Sequence, residues 1–280
     1  MRMKFGIVIL CAATWGLAAQ PAAAPLTFEV ASVKPTAAPG SGRIPMMIQF
    51  VPGGGLRTTN VNLRMLVTFA YEVQDFQIRG GPAWLGTDLW DIQAKPERTS
   101  DGPPEDVEKL SDEQRKVATD QRRERLRSLL ADRFQLAVHR ETKNEPVYAL
   151  VIGKGGAKLE ETKETGLRRG GMRMGRGELQ GTGVKIEFLA QSLSSQLRRP
   201  VVDRTGLTGN YDFKLTWTPD VGQGFGPAGL PPGADAPPPP DPNGPTLFTA
   251  VQEQLGLRLE SQKGPVEVIV IDRAEKPTDN

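Results

Sequence analysis

The residues able to perform acid–base chemistry are few in this chain of 280 residues. His139 is the only histidine, and a catalytic imidazole needs a positioned nucleophile or carboxylate beside it. The sequence marks out no such partner, and Glu260 stands at the equivalent place of a second, similar segment. Because a glutamate occupies that place, we expect His139 on an exposed strand, with a structural role.

Nucleophiles and metal ligands are equally sparse. Cys11 is the only cysteine, no loop carries the clustered carboxylates of an EF-hand, and Asp112–Glu113 and Glu160–Glu161 have the character of solvated charges. Residues 192–195 contain three serines, but they fall on a predicted helix, with no neighbouring base and no Gly-x-Ser-x-Gly motif. We therefore predict no catalytic residue, no metal ligand and no cofactor.

Two glycine-rich runs, Gly53–Gly55 and Gly153–Gly156, could be taken for phosphate-binding loops. Neither has the Gly-Lys-Ser/Thr ending that leads directly into a helix, so both are predicted to be turns between strands. The basic run Arg168–Arg176 could attach to anionic lipid, lipopolysaccharide or nucleic acid by charge. Its glycines fit a flexible, solvated linker better.

Four aromatic residues could form a stacking surface for sugars or aromatic ligands: Trp84, Trp90, Tyr211 and Trp217. Along a predicted strand, Tyr211 and Trp217 alternate with polar residues and share one face with Phe213 and Leu215. We therefore predict that these aromatic side chains pack in a core.

The first 24 residues have the order of a secretory signal peptide. Arg2 and Lys4 are followed by the apolar run Phe5–Leu17 and by small residues up to Ala24. Export to the periplasm or the extracellular space is expected, and cleavage would remove Cys11. The remaining chain has 33 basic residues (35 less Arg2 and Lys4) against 33 acidic ones. This balance disfavours a nucleic-acid partner, and no later segment has the composition of a transmembrane span.

An internal repeat organises the rest of the sequence. Its blocks match in order, with offsets that drift from 123 to 119 residues. They are Leu56–Leu63 with Leu179–Ile186, Trp90–Ile92 with Tyr211–Phe213, and Val147–Ile152 with Val266–Ile271. Four blocks in register, the fourth joining Leu126–Val138 to Leu247–Leu259, are hard to attribute to chance.

Each copy is predicted to have the order β-α-β-β-α-β-β, which makes the fold α+β, with one small mixed sheet and two helices in each copy. Repeat 1 spans 25–159 and includes an N-terminal strand, Phe28–Val33. A Gly/Arg-rich linker spans 160–178, and repeat 2 spans 179–280 with a disordered Pro-rich insertion at 219–245. The copies are expected to close with strand pairs, such as Leu257–Ser261 and Val266–Ile271.

Several motifs resemble one family of exported bacterial proteins, expanded in some soil bacteria and known only as a domain of unknown function. They are Phe28–Pro35, Gly80–Leu85, Leu130–Phe134, His139–Glu141, Val201–Leu207, Gln252–Leu257 and Val266–Asp272. Related regions are fused to membrane zinc-peptidase sensors of the β-lactam-receptor type. This chain lacks His-Glu-x-x-His, so the resemblance implies no peptidase activity here.

The repeat also resembles the short N-terminal domain of secretins and TonB-dependent receptors, which binds partner proteins. The first hypothesis is therefore a non-enzymatic module that recognises an envelope protein through its sheet edges. A hydrolase that uses a carboxylate pair including Asp91 or Asp212 is a second hypothesis. A binder of small ligands in a groove between the copies is a third, although no convergent polar set is evident in the sequence.

Overall fold

A computed structural model describes residues 26–36, 46–96, 111–162, 171–219 and 244–277. The expected signal peptide and nearly all of the expected Pro-rich insertion lie outside these residues. The described chain forms four α-helices and three four-stranded sheets, so its class is α+β. None of the helices in these ranges has the length and apolar character that crossing a membrane requires.

In chain order the elements are β1 (Val30–Pro35), β2 (Met47–Val51), β3 (Gly55–Val61), α1 (Leu63–Tyr71), β4 (Ile78–Gly80), β5 (Trp90–Lys95), α2 (Asp112–Arg133), β6 (Ala137–Ile152), β7 (Glu160–Glu161), β8 (Gly171–Gly175), β9 (Glu178–Lys185), α3 (Ile186–Leu197), β10 (Val201–Asp203), β11 (Asn210–Thr216), α4 (Leu247–Leu255) and β12 (Leu257–Arg273).

The helices begin and end where local side chains satisfy the backbone. Ser111 and Gln114 form a capping box at the start of α2, which supplies partners to two backbone amides. Thr246 caps α4 by accepting from the Thr249 amide. Gly256 then ends α4 in the left-handed region, at a φ of 65°.

The first lobe consists of β1, β2, β3 and β5 with α1 and α2. Its sheet is antiparallel, in the order β1-β5-β3-β2. The expected N-terminal strand joins this sheet as β1. Alternate residues of β3 and β5, such as Leu56 and Ile92, point to one side and pack with Leu66 and Leu130 from the helices.

The second lobe consists of β7, β8, β9 and β11 with α3 and α4. Its sheet is also antiparallel, in the order β7-β11-β9-β8. The segment 160–178, expected to be a linker, supplies the two outer strands β7 and β8. Its glycines and arginines are compatible with strand pairing at an edge, where one face and one backbone side meet solvent.

A third sheet joins the lobes, in the order β10-β6-β12-β4. Its centre is a two-stranded antiparallel ribbon of β6 and β12, paired from Ile152 opposite Leu257 to Ala137 opposite Arg273. The expected closing strand pairs are wrong, because each is one continuous strand. The middle of each strand is polar and has the composition of a turn. In the structure these two middle segments pair with each other, and Asn144 lies opposite Pro265.

The ribbon contributes to both cores. Ile269 and Ile271, near the end of β12, are buried in the first lobe. Leu150 of β6 and Leu257 of β12 are buried in the second lobe. The separate mixed sheet expected for each copy is therefore replaced by one mixed sheet whose strands come from both halves of the chain.

Candidate functional site

His139 lies on β6 between two carboxylates. Its Nδ1 is 2.9 Å from Oδ2 of Asp272, and its Nε2 is 3.1 Å from Oε1 of Glu141. These carboxylates, Asp272 first, raise the pKa of His139. Lys143 in turn contacts Glu141 at 2.9 Å, and its ammonium is the largest cause of the lowered pKa of that carboxyl.

This geometry makes His139 an unsuitable general base. Both ring nitrogens already face carboxylates, so the protonated imidazolium is favoured and neither nitrogen lone pair is free for a proton or a metal ion. The side chain is about half exposed, as expected for a strand at the surface. The arrangement is that of a surface ion cluster across the ribbon.

The carboxylates of the hydrolase hypothesis lie apart, one in each lobe. Asp91 Oδ1 accepts from the Asn60 amide at 2.9 Å and from the Thr36 hydroxyl at 2.8 Å. Asp212 Oδ1 accepts from the Gly183 amide at 2.6 Å and from the Thr162 hydroxyl at 2.8 Å. Each aspartate thus accepts two hydrogen bonds. One comes from a bend in the strand on one side, and the other comes from a threonine that follows the strand on the other side.

The serines and glycine runs also serve the fold. Ser194 on α3 is buried, donates to the Ala190 carbonyl and accepts from the Val201 amide. The Gly153–Gly156 turn lies against the C-terminal end of α4, where the Gly153 amide donates to the Gly256 carbonyl at 2.8 Å. Because a helix C-terminus is the negative end of its dipole, this place disfavours a phosphate.

Three of the four aromatic residues considered as a stacking surface are buried. Trp90 is 4% exposed, Trp217 is 5% exposed and Tyr211 is 9% exposed. Trp84 is partly buried against the first core, with its ring centroid 6.5 Å from that of Phe134. These rings are packing groups, which agrees with the alternation seen in the sequence.

The outer strands β2 and β8 are the apolar edges of the two lobes. Each lies at the same end of its sheet and pairs on one side only among the described strands. Four of the seven methionines are on or beside them: Met46, Met47, Met172 and Met174. Met46 is 53% exposed, Met47 is 41% exposed and Met174 is 46% exposed.

Helix α3 holds β8 in place and extends its apolar surface. The Ser192 hydroxyl donates to Met172 Sδ at 2.8 Å, and Gln196 Nε2 donates to Met174 Sδ at 3.1 Å. Phe188, one turn before Ser192 on α3, is 54% exposed. The sequence analysis did not identify this surface, because which strands lie at an edge depends on the order of the strands in the sheet. The signal that was available is the spacing of the methionines in pairs.

A cleft of about 340 Å³ lies between α3 and the loop after α1. Ser195 Oγ of α3 donates to Gln74 Oε1 of that loop at 2.8 Å and so joins the lobes beside the cleft. Its polar lining, which was not anticipated, comes from both lobes: Glu72, Gln74, Gln77, Glu187, Gln191 and Asp203.

Comparison with known proteins adds a family but no activity. The family model described as "Protein of unknown function (DUF3738)" matches residues 64–274. This range runs from α1 to the end of β12 and so includes the second lobe, the ribbon, and α1, β5 and α2 of the first lobe, but not the first-lobe strands β1, β2 and β3. No curated protein and no solved structure matches the chain.

Proposed function

The chain belongs to the family of proteins of unknown function DUF3738, and on this premise we propose that it is an exported, non-enzymatic module that recognises a partner protein through the edge strands β2 and β8. The observation that carries the proposal is the presence of an open, methionine-rich edge at the same place in both lobes. An extended segment of a partner can add to such an edge by backbone hydrogen bonds. Methionine side chains adapt to the partner's side chains.

The two edges carry little of the protection that sheet edges usually have: β2 contains no proline or charged residue, and β8 contains one charged residue, Arg173. Proline and charged residues commonly block the outer strand of a sheet. Strand β1 follows that pattern, because it ends in Lys34 and Pro35. Strand β8 begins and ends in glycine, and α3, which contacts Met172 and Met174, carries the exposed ring of Phe188. A weakly protected edge with apolar neighbours suits a partner that adds a strand.

We also infer that the chain is a duplicated unit whose two copies exchange their closing strands. The strand numbers of the second lobe are those of the first with six added, in the same order across the sheet. In the third sheet, β4 of the first copy pairs with β12 of the second, and β10 of the second copy pairs with β6 of the first. The proposed recognition edges β2 and β8 are then equivalent strands of the two copies.

The partner is expected in the cell envelope, because a signal peptide at residues 1–24 would direct export. The test is chemical cross-linking of the mature protein in the envelope of its own cells, read by mass spectrometry. Met174→Asp should reduce recovery of the partner about tenfold or more, since loss of a buried anchor costs roughly 2 kcal/mol.

The matched control is Val117→Asp. Val117 is an exposed apolar residue on α2, outside both edge strands, at 48% exposure. It should leave recovery unchanged. Equal recovery from Met47→Asp, Met174→Asp and Val117→Asp would contradict the proposal, as would the lack of any reproducible partner.

The cleft between the lobes supports a second candidate, the binding of a small ligand. Its carboxylates favour a ligand with a positive charge, although both oxygens of Glu72 are already paired with Arg123. Glu187 and Gln191 of α3 are the exposed groups best placed to contact it. A panel of amines and amino acids that raises the melting temperature of the protein, but not of Glu187→Gln, would support this candidate.

A further inference from the structure

Helix α2 carries a buried arginine, one of whose guanidinium nitrogens has no hydrogen-bond partner in the described chain. Arg125 is 8% exposed. Within the described residues its Nη1 is buried and makes no hydrogen bond. Arg122 lies one turn earlier on the same face of the helix, and its buried Nε likewise has no partner there. The Arg122 guanidinium carbon is 5.3 Å from the centre of the Phe50 ring.

The neighbouring carboxylates are engaged elsewhere. Glu124 accepts from the Leu26 amide at 3.3 Å. Asp120 and Glu72 both contact Arg123, at 3.4 Å and 3.0 Å. Among the described side chains, Arg122 therefore has the Phe50 ring in place of a counter-charge, and Arg125 makes no salt bridge.

A buried charge without a counter-charge is costly, by several kcal/mol in proteins. Neutralisation does not remove this cost, because an arginine stays protonated even where, as at Arg122, burial lowers the pKa. Buried polar groups that lack protein partners usually bind water or an ion. Each guanidinium group presents a planar fork of donors, which matches the oxygens of a carboxylate or phosphate group.

We infer that the face of α2 formed by Arg122 and Arg125, together with the Phe50 ring of β2, binds a small oxyanion, a carboxylate or a phosphate ester. The ligand's anionic group would accept from the two guanidinium groups, and its remainder would lie against the Phe50 ring. Binding would supply the missing counter-charge and would stabilise the first lobe, in which α2 covers the sheet.

The test is thermal unfolding of the mature protein in chloride buffer of constant ionic strength, with millimolar inorganic phosphate or citrate as the probe. A bound oxyanion at about 100 times its dissociation constant should raise the melting temperature by roughly 5 °C or more. In Arg125→Met this shift should be lost. Without the oxyanion, that variant should melt at the same or a higher temperature, because an unpaired buried charge has been removed.

Arg133→Met is the matched control. Arg133 is on the same helix, near its C-terminal end, and pairs with Asp132 at 3.1 Å. Its response to phosphate and citrate should equal that of the unchanged protein. Arg122→Met, in contrast, should weaken the response about tenfold in concentration, since it removes one of two charged donors.

Two outcomes would overturn the inference. One is a melting temperature that neither oxyanion changes, together with no heat of binding in calorimetric titration of the unchanged protein. The calorimetric measurement decides the question even if Arg125→Met does not fold. The other is destabilisation of Arg125→Met to the same extent with and without the oxyanions, which would mean that the chain itself supplies the counter-charge.

Discussion

Asp212 holds the amide of Gly183 across the second lobe, with Oδ1 at 2.6 Å from the nitrogen. Gly183 has a φ of 60°, in the left-handed region, at a point where the pairing of β9 with β11 shifts in register. In the first lobe Asp91 holds the amide of Asn60, whose φ is 54°. In each lobe the bend takes one backbone amide out of the hydrogen bonding between strands, and an aspartate carboxylate accepts from that amide instead.

Replacing either aspartate should lower stability without affecting any binding at the edges. Asp91→Ala and Asp212→Ala each leave a partly buried amide and a hydroxyl without an acceptor, which costs about 1–3 kcal/mol. The free energy of unfolding, measured in urea, is the readout. The two losses should add within roughly 0.5 kcal/mol, because the sites are in different lobes.

Asp132→Ala provides the comparison for these variants. Asp132 is exposed near the end of α2 and pairs only with its neighbour Arg133 in the described structure. Its replacement should change the free energy of unfolding by less than about 0.5 kcal/mol. An equally small effect of Asp91→Ala would show that the bend in β3 does not depend on the carboxylate.

The single histidine provides a direct test of the surface cluster on the ribbon. The Cε1 proton of His139 in the tag-free protein should titrate in NMR with a pKa above the ordinary value of about 6.5. Asp272→Asn should lower that pKa more than Glu141→Gln, because Asp272 is the larger cause of the shift. A pKa at or below 6.5 in the unchanged protein would contradict the contacts.

The same cluster predicts a pH dependence of stability. Because folding raises the pKa of His139, the cluster stabilises the fold fully below the unfolded pKa of about 6.5 and loses this contribution as the pH rises through the folded pKa. The difference in melting temperature between the unchanged protein and His139→Gln should therefore shrink from about pH 6 to about pH 8. A difference that is constant over this range would oppose the prediction.

A mutation in the ribbon should destabilise the lobe whose core contains the mutated side chain, even where that lobe is built mainly from the other half of the chain. Ile269→Ala removes a fully buried side chain from the first core, at a cost of about 2–5 kcal/mol. Hydrogen exchange should then quicken mainly in α1 and α2. Leu150→Ala should quicken exchange mainly in α3 and α4, since Leu150 belongs to the second core.

Gly181 should not tolerate a side chain. A Cβ at this position on β9 would lie 2.5 Å from Cε1 of Phe213 and 2.7 Å from Cγ2 of Val184. Gly181→Ala should therefore cost about 1–3 kcal/mol in the free energy of unfolding. Gly155→Ala is the control, because a Cβ there meets no atom within 4 Å, and a loss of equal size would contradict the packing argument.

Local elements could be predicted from the sequence because their signals are local. For example, Ile186, Leu189 and Leu193 recur at helical spacing, and Pro200 follows closely after the end of the helix Ile186–Leu197. Thr246 and Gly256 mark both ends of α4. The pairing of β6 with β12 could not be predicted, because its partners lie at distant points of the chain and the Gly264–Pro265 dipeptide has the composition of a turn.

The candidate surfaces were harder to predict than the elements. That His139 would be exposed followed from Glu260 at the equivalent place, but its partner Asp272 lies on β12 and was not foreseen. The methionines of β2 and β8 became a surface only once the strand order was known. Nothing in the sequence singles out Arg125, because its burial follows from how α2 lies on the sheet.

The ribbon also determines when the first lobe can finish folding. Ile269 and Ile271 complete its hydrophobic core, although they follow almost every other residue of the chain in synthesis. When α1 and α2 have been synthesised but β12 has not, the nascent chain lacks part of that core and also lacks the strand that pairs with β4. The half of the described chain that is made first therefore completes its core only after β12, which belongs to the other half, has been made.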